Sequence, residues 1–279
     1  MKAGFLIGGC LLVAGLLLQL AFGPIDWSLF AAPLNYIALG LLLALIGIMF
    51  LLRKKVYAFE WMMHLEAAVP CLCYAVGLTI LMGLTVQTER GGIPWISQML
   101  RWWPFVLIWS WMMVISGLAT MNHLLRWKWR EIPFIINHLG VFLAVVCATL
   151  GNADLQEREM TVYQGSTERM ESGLGITLHR FTVDYYEDGT PRRFASDITV
   201  ETKSGRSVDG TVEVNRPMKV SGWKIYQYGY DAKQGADSPY SVFLLVRDPW
   251  LPAVYLGIFL MLAGAVCLLF FMAPKTKKV

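Results

Sequence analysis

Six apolar runs, each close to twenty residues long, alternate with short polar loops and one long polar segment. An α-helix rises 1.5 Å per residue, so about twenty residues cross a hydrocarbon core of ~30 Å, and a helix satisfies its own backbone polar groups there. The pattern therefore predicts about six transmembrane helices. The predicted spans cover residues 4–22, 36–52, 67–86, 104–122, 132–151 and 250–272.

The long polar segment, residues 153–248, has a different pattern. Its β-branched and aromatic runs are interrupted by turn sequences such as Asp188-Gly189 and Ser204-Gly205. Runs of this kind are typical of strands. We predict about six antiparallel strands, packed as a small sandwich or curved sheet.

One strand of this segment is predicted in more detail, because Pro217 and Gly222 favour chain reversals before an aromatic run. With side chains alternating across the sheet, the prediction places Tyr226, Tyr228 and Tyr230 on one face. Packing within the fold accounts for such an aromatic stripe without any further function.

Lysine and arginine residues beside the apolar runs predict the topology. The excess of these residues marks the cytoplasmic side of a membrane protein. One side carries Lys2, Arg53, Lys54, Lys55, Arg126, Lys128, Arg130, Lys275, Lys277 and Lys278, and the short loops on the other side carry Arg90 and Arg101. We expect both termini to be cytoplasmic and residues 153–248 to be extracytoplasmic.

These patterns predict a polytopic α-helical membrane protein with a small antiparallel β-rich extracytoplasmic domain between helices five and six. The predicted parts are a membrane domain of four helices (1–130), helix five (131–152), the β domain (153–248), and helix six with a basic tail (249–279). The first run is longer than the apolar core of a usual signal peptide and lacks a small-x-small cleavage site after it, so we expect a retained helix.

Composition supports a location in the lipid bilayer. Of 279 residues, 56% are hydrophobic and 16% are charged, and the mean hydropathy is +0.50. A soluble fold has more charge than this. The net charge of +4 does not indicate nucleic-acid binding, because the cations lie beside the apolar runs and not along one soluble face.

Candidate catalytic chemistry is sparse. The sequence contains no HExxH, P-loop, GxGxxG or paired CxxC motif and no Ser-His-Asp order, so an autonomous hydrolase or kinase is not expected. The four histidines are His64, His123, His138 and His179. The first three fall near the predicted cytoplasmic ends of their helices, where they could approach one another.

Part of the chain resembles the ResB family, also called CcsB, of System II cytochrome c biogenesis proteins. The resemblance rests on LGITLHRFTVDYYEDGTPRRFASDITV, on VEVNRPMKVSGWKIYQYGYD and on RDPWLPAVYLGIFLMLAGAVCLLFF, and it extends upstream to INHLGVFLAVVCATLG. It covers about residues 132–272. In the family three helices precede a larger external domain, whereas here five helices precede a short one, and residues 1–130 match no family that we can name.

The resemblance implies a function in the bacterial inner (cytoplasmic) membrane. It implies a CcsA/ResC-type membrane partner, export of haem b, and attachment of that haem to apocytochrome c. The chain is then a subunit of a haem-attachment complex and not an enzyme alone. The competing interpretation is a non-haem membrane scaffold whose β domain binds a partner protein, and a third is a solute transporter, although the predicted spans lack acidic residues for a proton relay.

His138 is the leading candidate ligand to haem iron under this resemblance. It lies about 10 Å along its helix at 1.5 Å per residue, where a buried ionisable side chain needs a partner. Imidazole is a common axial ligand of haem. The opposite ligand is expected from the partner or from His64 or His123, which are the other candidate haem ligands. A structural hydrogen bond is the equally open alternative for His138, and interfacial positions are the alternatives for His64 and His123. His179 is expected to be a surface or sheet residue.

Overall fold

A computed structural model describes residues 1–88, 95–126 and 128–271 of the protein. The predictions for Arg90 and the basic tail at residues 275–278 fall outside these residues. The chain divides into two compact units. We call residues 1–154 with the segment from Trp250 onward the helical unit, and Leu155–Pro249 the β unit.

The helical unit contains seven α-helices in the described residues, and six of them are long and apolar enough to cross a membrane. This confirms the prediction of about six apolar helices. The short α3 was not predicted. The helices are α1 (Lys2–Phe22), α2 (Leu34–Leu52), α3 (Tyr57–Trp61), α4 (Leu65–Leu84), α5 (Trp103–Leu125), α6 (Ile132–Gly151) and α7 (Leu251–Phe271).

Helices α6 and α7 pack against each other at backbone distance. A Cβ atom added to Gly140 would lie 2.3 Å from the backbone nitrogen of Met261, and one added to Gly257 would lie 2.5 Å from that of Ala144. The Asn137 side chain also donates to the carbonyl of Met261 at 2.8 Å. Small residues that allow close backbone approach, together with interhelical hydrogen bonds, are typical of helix pairs in membranes.

A carboxylate joins three parts of the helical unit. Asp154 follows α6, and its Oδ2 accepts hydrogen bonds from Asn35 Nδ2 at 2.7 Å and from Trp250 Nε1 at 2.8 Å. Its Oδ1 accepts from the backbone N–H of Ala32 at 2.9 Å. Since Asn35 is fully buried, this carboxylate satisfies a polar group that has no access to water.

The β unit is a sandwich of two four-stranded antiparallel sheets, with strand orders β1-β8-β7-β6 and β2-β3-β4-β5. The strands are β1 (Gln156–Tyr163), β2 (Thr167–Arg169), β3 (Gly175–Tyr185), β4 (Pro191–Glu201), β5 (Ser207–Glu213), β6 (Met218–Val220), β7 (Trp223–Tyr230) and β8 (Tyr240–Arg247). The predicted antiparallel β domain is confirmed. The number of strands is eight instead of about six, and β2 and β6 are only three residues long.

Side chains from both sheets fill the interior of the sandwich. The alternating inward residues form one apolar core that includes Ile176 and Leu178 of β3 and Phe243 and Leu245 of β8, all four fully buried. Fully burying side chains of this size contributes about 1.5–3 kcal/mol each. The two sheets therefore stabilise each other through apolar burial.

Tight turns join the strands where the sequence predicted chain reversals. Ser221 and Gly222 have φ of 49° and 82° and connect β6 to β7. Two positive φ angles define a hairpin turn whose twist matches that of the strands. In the β3–β4 turn, hydrogen bonds from the Thr190 hydroxyl and backbone N–H hold the pKa of the exposed Asp188 carboxyl below its usual value.

The predicted tyrosine face is interrupted at its end. The pairing of β7 with β8 shifts by one residue between Gln227 and Gly229, so Tyr228 is a bulge residue. After the bulge, Tyr230 pairs with the buried Ser241 and its ring stacks on Phe181 at 5.1 Å. The prediction that Tyr230 shares a face with the other two tyrosines is wrong, because a bulge reverses the alternation beyond it.

Candidate functional site

Two of the three candidate histidines meet where α5 ends and α6 begins. His123 lies in the last turn of α5. Phe134 and His138 lie in the first two turns of α6, four residues apart and therefore on one face of that helix. Helices α5 and α6 pack against each other, and His123 lies beside the start of α6.

The aromatic ring of Phe134 contacts both imidazoles. Its centroid is 3.8 Å from that of His138, with an interplanar angle of 21°, and 4.1 Å from that of His123, with an angle of 40°. One face of a phenyl ring accommodates one ring at such distances. The two imidazoles therefore lie on opposite faces of Phe134.

In both imidazoles, the ring nitrogen that makes the hydrogen bond is Nδ1. His138 Nδ1 lies 3.0 Å from the carbonyl oxygen of Phe134, and His123 Nδ1 lies 3.1 Å from Glu131 Oε2. A carbonyl oxygen only accepts, and an ionised carboxylate only accepts, so in each ring Nδ1 carries the hydrogen and donates. The other nitrogen, Nε2, then has the lone pair that binds a metal when the ring is neutral.

Glu131, which accepts from His123, also lies near a lysine. Its Oε1 is 3.9 Å from Lys128 Nζ, and the side chains of His123 and Glu131 are 33% and 24% exposed. Sequence reasoning did not identify Glu131 or Phe134. The spacing of Phe134 four residues before His138 could have indicated the ring contact, whereas the Glu131 contact depends on the path of the connecting loop.

The other two histidines lie elsewhere. His64 precedes α4 as its N-cap residue and is exposed, and no ring contact or ion pair joins it to His123 or His138 in the described part of the chain. His179 lies in β3 at a register shift, is exposed, and has Nε2 2.7 Å from Thr199 Oγ1. The structure thus brings His123 and His138 together and leaves His64 and His179 apart from them.

The two histidines suit a metal ion that is already coordinated by a cofactor and needs only one or two ligands from protein. Within residues 1–88, 95–126 and 128–271, no group of three or more His, Cys, Asp or Glu side chains could hold a bare metal ion. Haem iron needs only axial ligands from protein, because the porphyrin supplies the other four. Each of the two imidazoles, with Nε2 available, fits the requirement for one such ligand.

A separate apolar cavity of about 410 Å³ is lined by the later turns of α6. Its α6 residues include Val145 and Thr149, which are seven and eleven positions after His138 and therefore share its helix face. Aromatic side chains of Trp27, Phe105 and Trp109 form part of its wall. A large apolar molecule in contact with His138 therefore has apolar surface to pack against further along α6.

Comparison with protein families gives a match over a part of the chain that includes Glu131, Phe134 and His138 of this site but not His123. Residues 126–240 match the ResB-like family, and the resemblance predicted from the sequence is confirmed. The chain is also similar to a protein described as "Cytochrome c biogenesis protein CcsB" from Thermosynechococcus vestitus, with 33% identity over 67 residues, or 24% of this chain and 15% of that protein.

Two further proteins show more distant similarity. "Cytochrome c biogenesis protein CCS1, chloroplastic" from Arabidopsis thaliana is 28% identical over 130 residues, which are 40% of this chain and 24% of that protein. A solved structure described as "Cytochrome c Heme Lyase CcmF" aligns with a TM-score of 0.40 and 17% identity, covering 74% of this chain and 35% of that one. The chain thus spans less than a quarter of the length of the curated relatives it matches.

Proposed function

The chain belongs to the ResB-like family through residues 126–240, and on this premise we propose that it is a membrane subunit of a cytochrome c biogenesis complex. In this proposal it pairs with a CcsA/ResC-type membrane protein. The pair carries haem b across the bacterial inner membrane and presents it to apocytochrome c. The chain contributes binding and orientation and is not an enzyme alone.

The hydrogen-bonded orientation of the two imidazoles is the observation that carries the proposal. Histidines that bind metals usually donate their second ring N–H to a carbonyl or a carboxylate, which fixes the tautomer and directs the other nitrogen at the metal. His138 has the carbonyl of Phe134 and His123 has the carboxylate of Glu131 in this role. A structural histidine also satisfies its ring N–H by a hydrogen bond, so the support for ligation comes from the presence of two such imidazoles at one site.

We assign the axial ligand from this chain to His138. The ring of Phe134 separates the two imidazoles, so one iron atom does not reach both of them in this arrangement. The opposite axial ligand then comes from the partner subunit. His123 is the second candidate from this chain, and it becomes available to the same iron only after Phe134 moves. His64, which lies apart from both, has no role in ligation here.

The proposed topology follows the distribution of charge. Among the described residues, Lys2, the Arg53–Lys55 cluster and Arg126 with Lys128 and Arg130 lie at helix ends that alternate with ends poor in cations. Cytoplasmic loops of membrane proteins carry this excess. We therefore propose cytoplasmic termini, a histidine site at the cytoplasmic ends of α5 and α6, and an extracytoplasmic β unit.

Replacing His138 with glycine tests the proposal. A tagged His138→Gly protein is purified in mild detergent from its native membrane, and haem spectrum, copurifying subunits and cytochrome c yield are measured. The lost side-chain hydrogen bond costs only about 1 kcal/mol, so the protein should fold and retain its CcsA-like partner. Bound haem and cytochrome c yield should fall, and added imidazole should restore part of both by occupying the vacated position.

The matched control is His64→Gly, which removes the same side chain from an exposed position without a contact to the site. It should retain the wild-type haem spectrum. A His138→Gly complex with normal haem and normal cytochrome yield contradicts the ligand assignment. A wild-type protein that is colourless and copurifies no haem-handling partner contradicts the proposed function and favours the non-haem scaffold.

A further inference from the structure

The edge strands of the β sandwich lie in pairs at its two sides. On one side the edges are β5 and β6, and there the Met218 side chain packs so closely over Gly210 that an added Cβ would lie 3.1 Å from the sulfur. On the other side the edges are β1 and β2, joined by the turn at residues 164–166.

A groove of about 610 Å³ lies between β1 and β2. Its apolar floor consists of Met160, Met170 and Trp223, which also pack against or belong to the core of the sandwich. The walls come from residues 156–161 of β1 and from residues 168–172. The groove is thus long, open along a strand, apolar below and polar at its rim.

Strand β1 presents an unpaired backbone edge to this groove. All eight of its residues pair with β8 on one side, from Gln156 with Arg247 to Tyr163 with Tyr240. On its other side no strand pairs with it within the β unit, all of whose residues the structure describes, and the three-residue β2 belongs to the opposite sheet. An edge of this length offers alternate N–H and C=O groups to an added strand.

Carboxylates dominate the free charge at the rim. Glu159, Glu168 and Glu171 are exposed and form no ion pair within residues 128–271. Of the two arginines, Arg169 is paired with Glu201 and Arg158 donates to the carbonyl of Glu157 at 3.1 Å. An occupant that carries lysine or arginine therefore finds unpaired negative charge on both walls.

We propose that this groove binds an extended peptide segment rich in lysine or arginine, which adds to the free edge of β1 as a further strand. Main-chain hydrogen bonds to β1 supply affinity, and the carboxylates select basic side chains. A second copy of this chain is a poor occupant, since its own β1 edge carries the same carboxylates and like charges repel. The inference goes beyond the proposed function and does not depend on haem.

Peptide binding to the full chain in detergent tests the inference. The probe is a fluorescently labelled peptide of eight alternating lysine and valine residues, matched to the length of β1, and binding is followed by fluorescence anisotropy. We expect saturable binding that weakens with salt. The double variant Glu159→Lys with Glu168→Lys should weaken it by about tenfold or more, because attraction becomes repulsion.

Two controls separate strand addition from general charge attraction. The variant Glu187→Lys with Asp237→Lys makes the same change in net charge at exposed positions outside the groove and should change the affinity by less than about twofold. The same peptide with N-methyl groups on alternate residues keeps its charges and loses main-chain donors, so it should bind at least about tenfold more weakly.

Hydrogen exchange supplies an independent readout. Bound peptide should protect amide protons of β1 and leave those of β5, an edge strand at the other side of the sandwich, unchanged. The inference is overturned if the unmodified peptide does not bind, if the methylated peptide binds equally well, or if both charge variants weaken binding alike. None of these outcomes depends on His138, so they leave the proposed haem function unaffected.

Discussion

The helical unit and the β unit use the same apolar residue types in opposite ways. In the helical unit, Leu17 of α1 and Leu51 of α2 are 62% and 74% exposed, and both belong to long apolar helices. In the β unit, Leu178 and Leu245 are fully buried between two sheets. Exposed leucines on this scale suit a hydrocarbon solvent, whereas the buried ones are expelled from water.

The difference shows that the two units are held together by different forces. Two apolar surfaces gain little by leaving lipid for each other, so helices in a bilayer rely on close packing and hydrogen bonds. Gly140 and Gly257 provide the close approach, and Asp154 provides the hydrogen bonds. The β unit instead relies on removing its apolar core from water. The following substitutions test this comparison.

The largest effect is expected from Gly140→Leu. The new Cβ would lie 2.3 Å from the backbone nitrogen of Met261 and 2.6 Å from the carbonyl oxygen of Gly257, both on α7. Neither atom belongs to a flexible side chain, so the two helices must separate. We expect a loss of more than about 4 kcal/mol, measured as the yield and thermal stability of folded protein in detergent.

The control for this substitution is Gly47→Leu in α2, where an added Cβ meets no atom within 4 Å. It should retain the wild-type yield. Equal damage from both variants would mean that leucine disturbs any glycine position in these helices, and close approach of α6 to α7 would not be the reason for the loss.

Replacing one leucine by alanine in each unit compares the two units directly, and the larger loss of stability is expected to be intermediate among these predictions. Leu245→Ala removes a fully buried side chain of the β unit and should cost about 2–5 kcal/mol through lost burial and a residual cavity. Leu17→Ala removes the same atoms from a side chain that is 62% exposed, and it should cost less than about 1 kcal/mol. Native-state hydrogen exchange of each unit provides the measurement. Similar costs at both positions would contradict the contrast between the units.

The long apolar helices were predictable because their pattern needs no tertiary information. Twenty apolar residues in succession have one stable form in a bilayer, and α1, α2 and α4 lie where the runs lie. The helix α3, Tyr57–Trp61, was missed because five residues are too short to show a helical period.

For the strands, the local sequence pattern predicted some features and missed others. Alternation identified the aromatic strand β7, but it continues unchanged in the sequence through Tyr228, where the structure has a bulge. A bulge depends on the partner strand, and a three-residue strand such as β6 has no alternation to detect. The open edge of β1 was likewise beyond reach, because strand order is a tertiary property.

The site was predictable only in part. His138 and His123 were identified from residue type and position along the helices, and their role in binding haem stays a prediction. Their shared contact with Phe134 requires the end of α5 to lie beside the start of α6. That arrangement is determined by the connecting loop and by packing, and the same information shows why His64, with an equally favourable position along the sequence, does not join the site.

The smallest effect is expected at the β6–β7 turn, where only backbone conformation is changed. Gly222 has a φ of 82°, and an added Cβ would meet no atom closer than 3.9 Å, so Gly222→Ala tests conformation without a clash. An L-residue with a side chain costs about 1 kcal/mol or slightly more in this region, and asparagine, which tolerates it better, should fall between glycine and alanine. The control Gly229→Ala lies in β7 without a positive φ, with its nearest contact at 3.4 Å, and should cost less than Gly222→Ala. Hydrogen exchange of the β7 amides measures all three variants. If alanine at position 222 is neutral, the left-handed backbone of this turn does not contribute to the stability of the β unit, and apolar burial accounts for the hairpin alone.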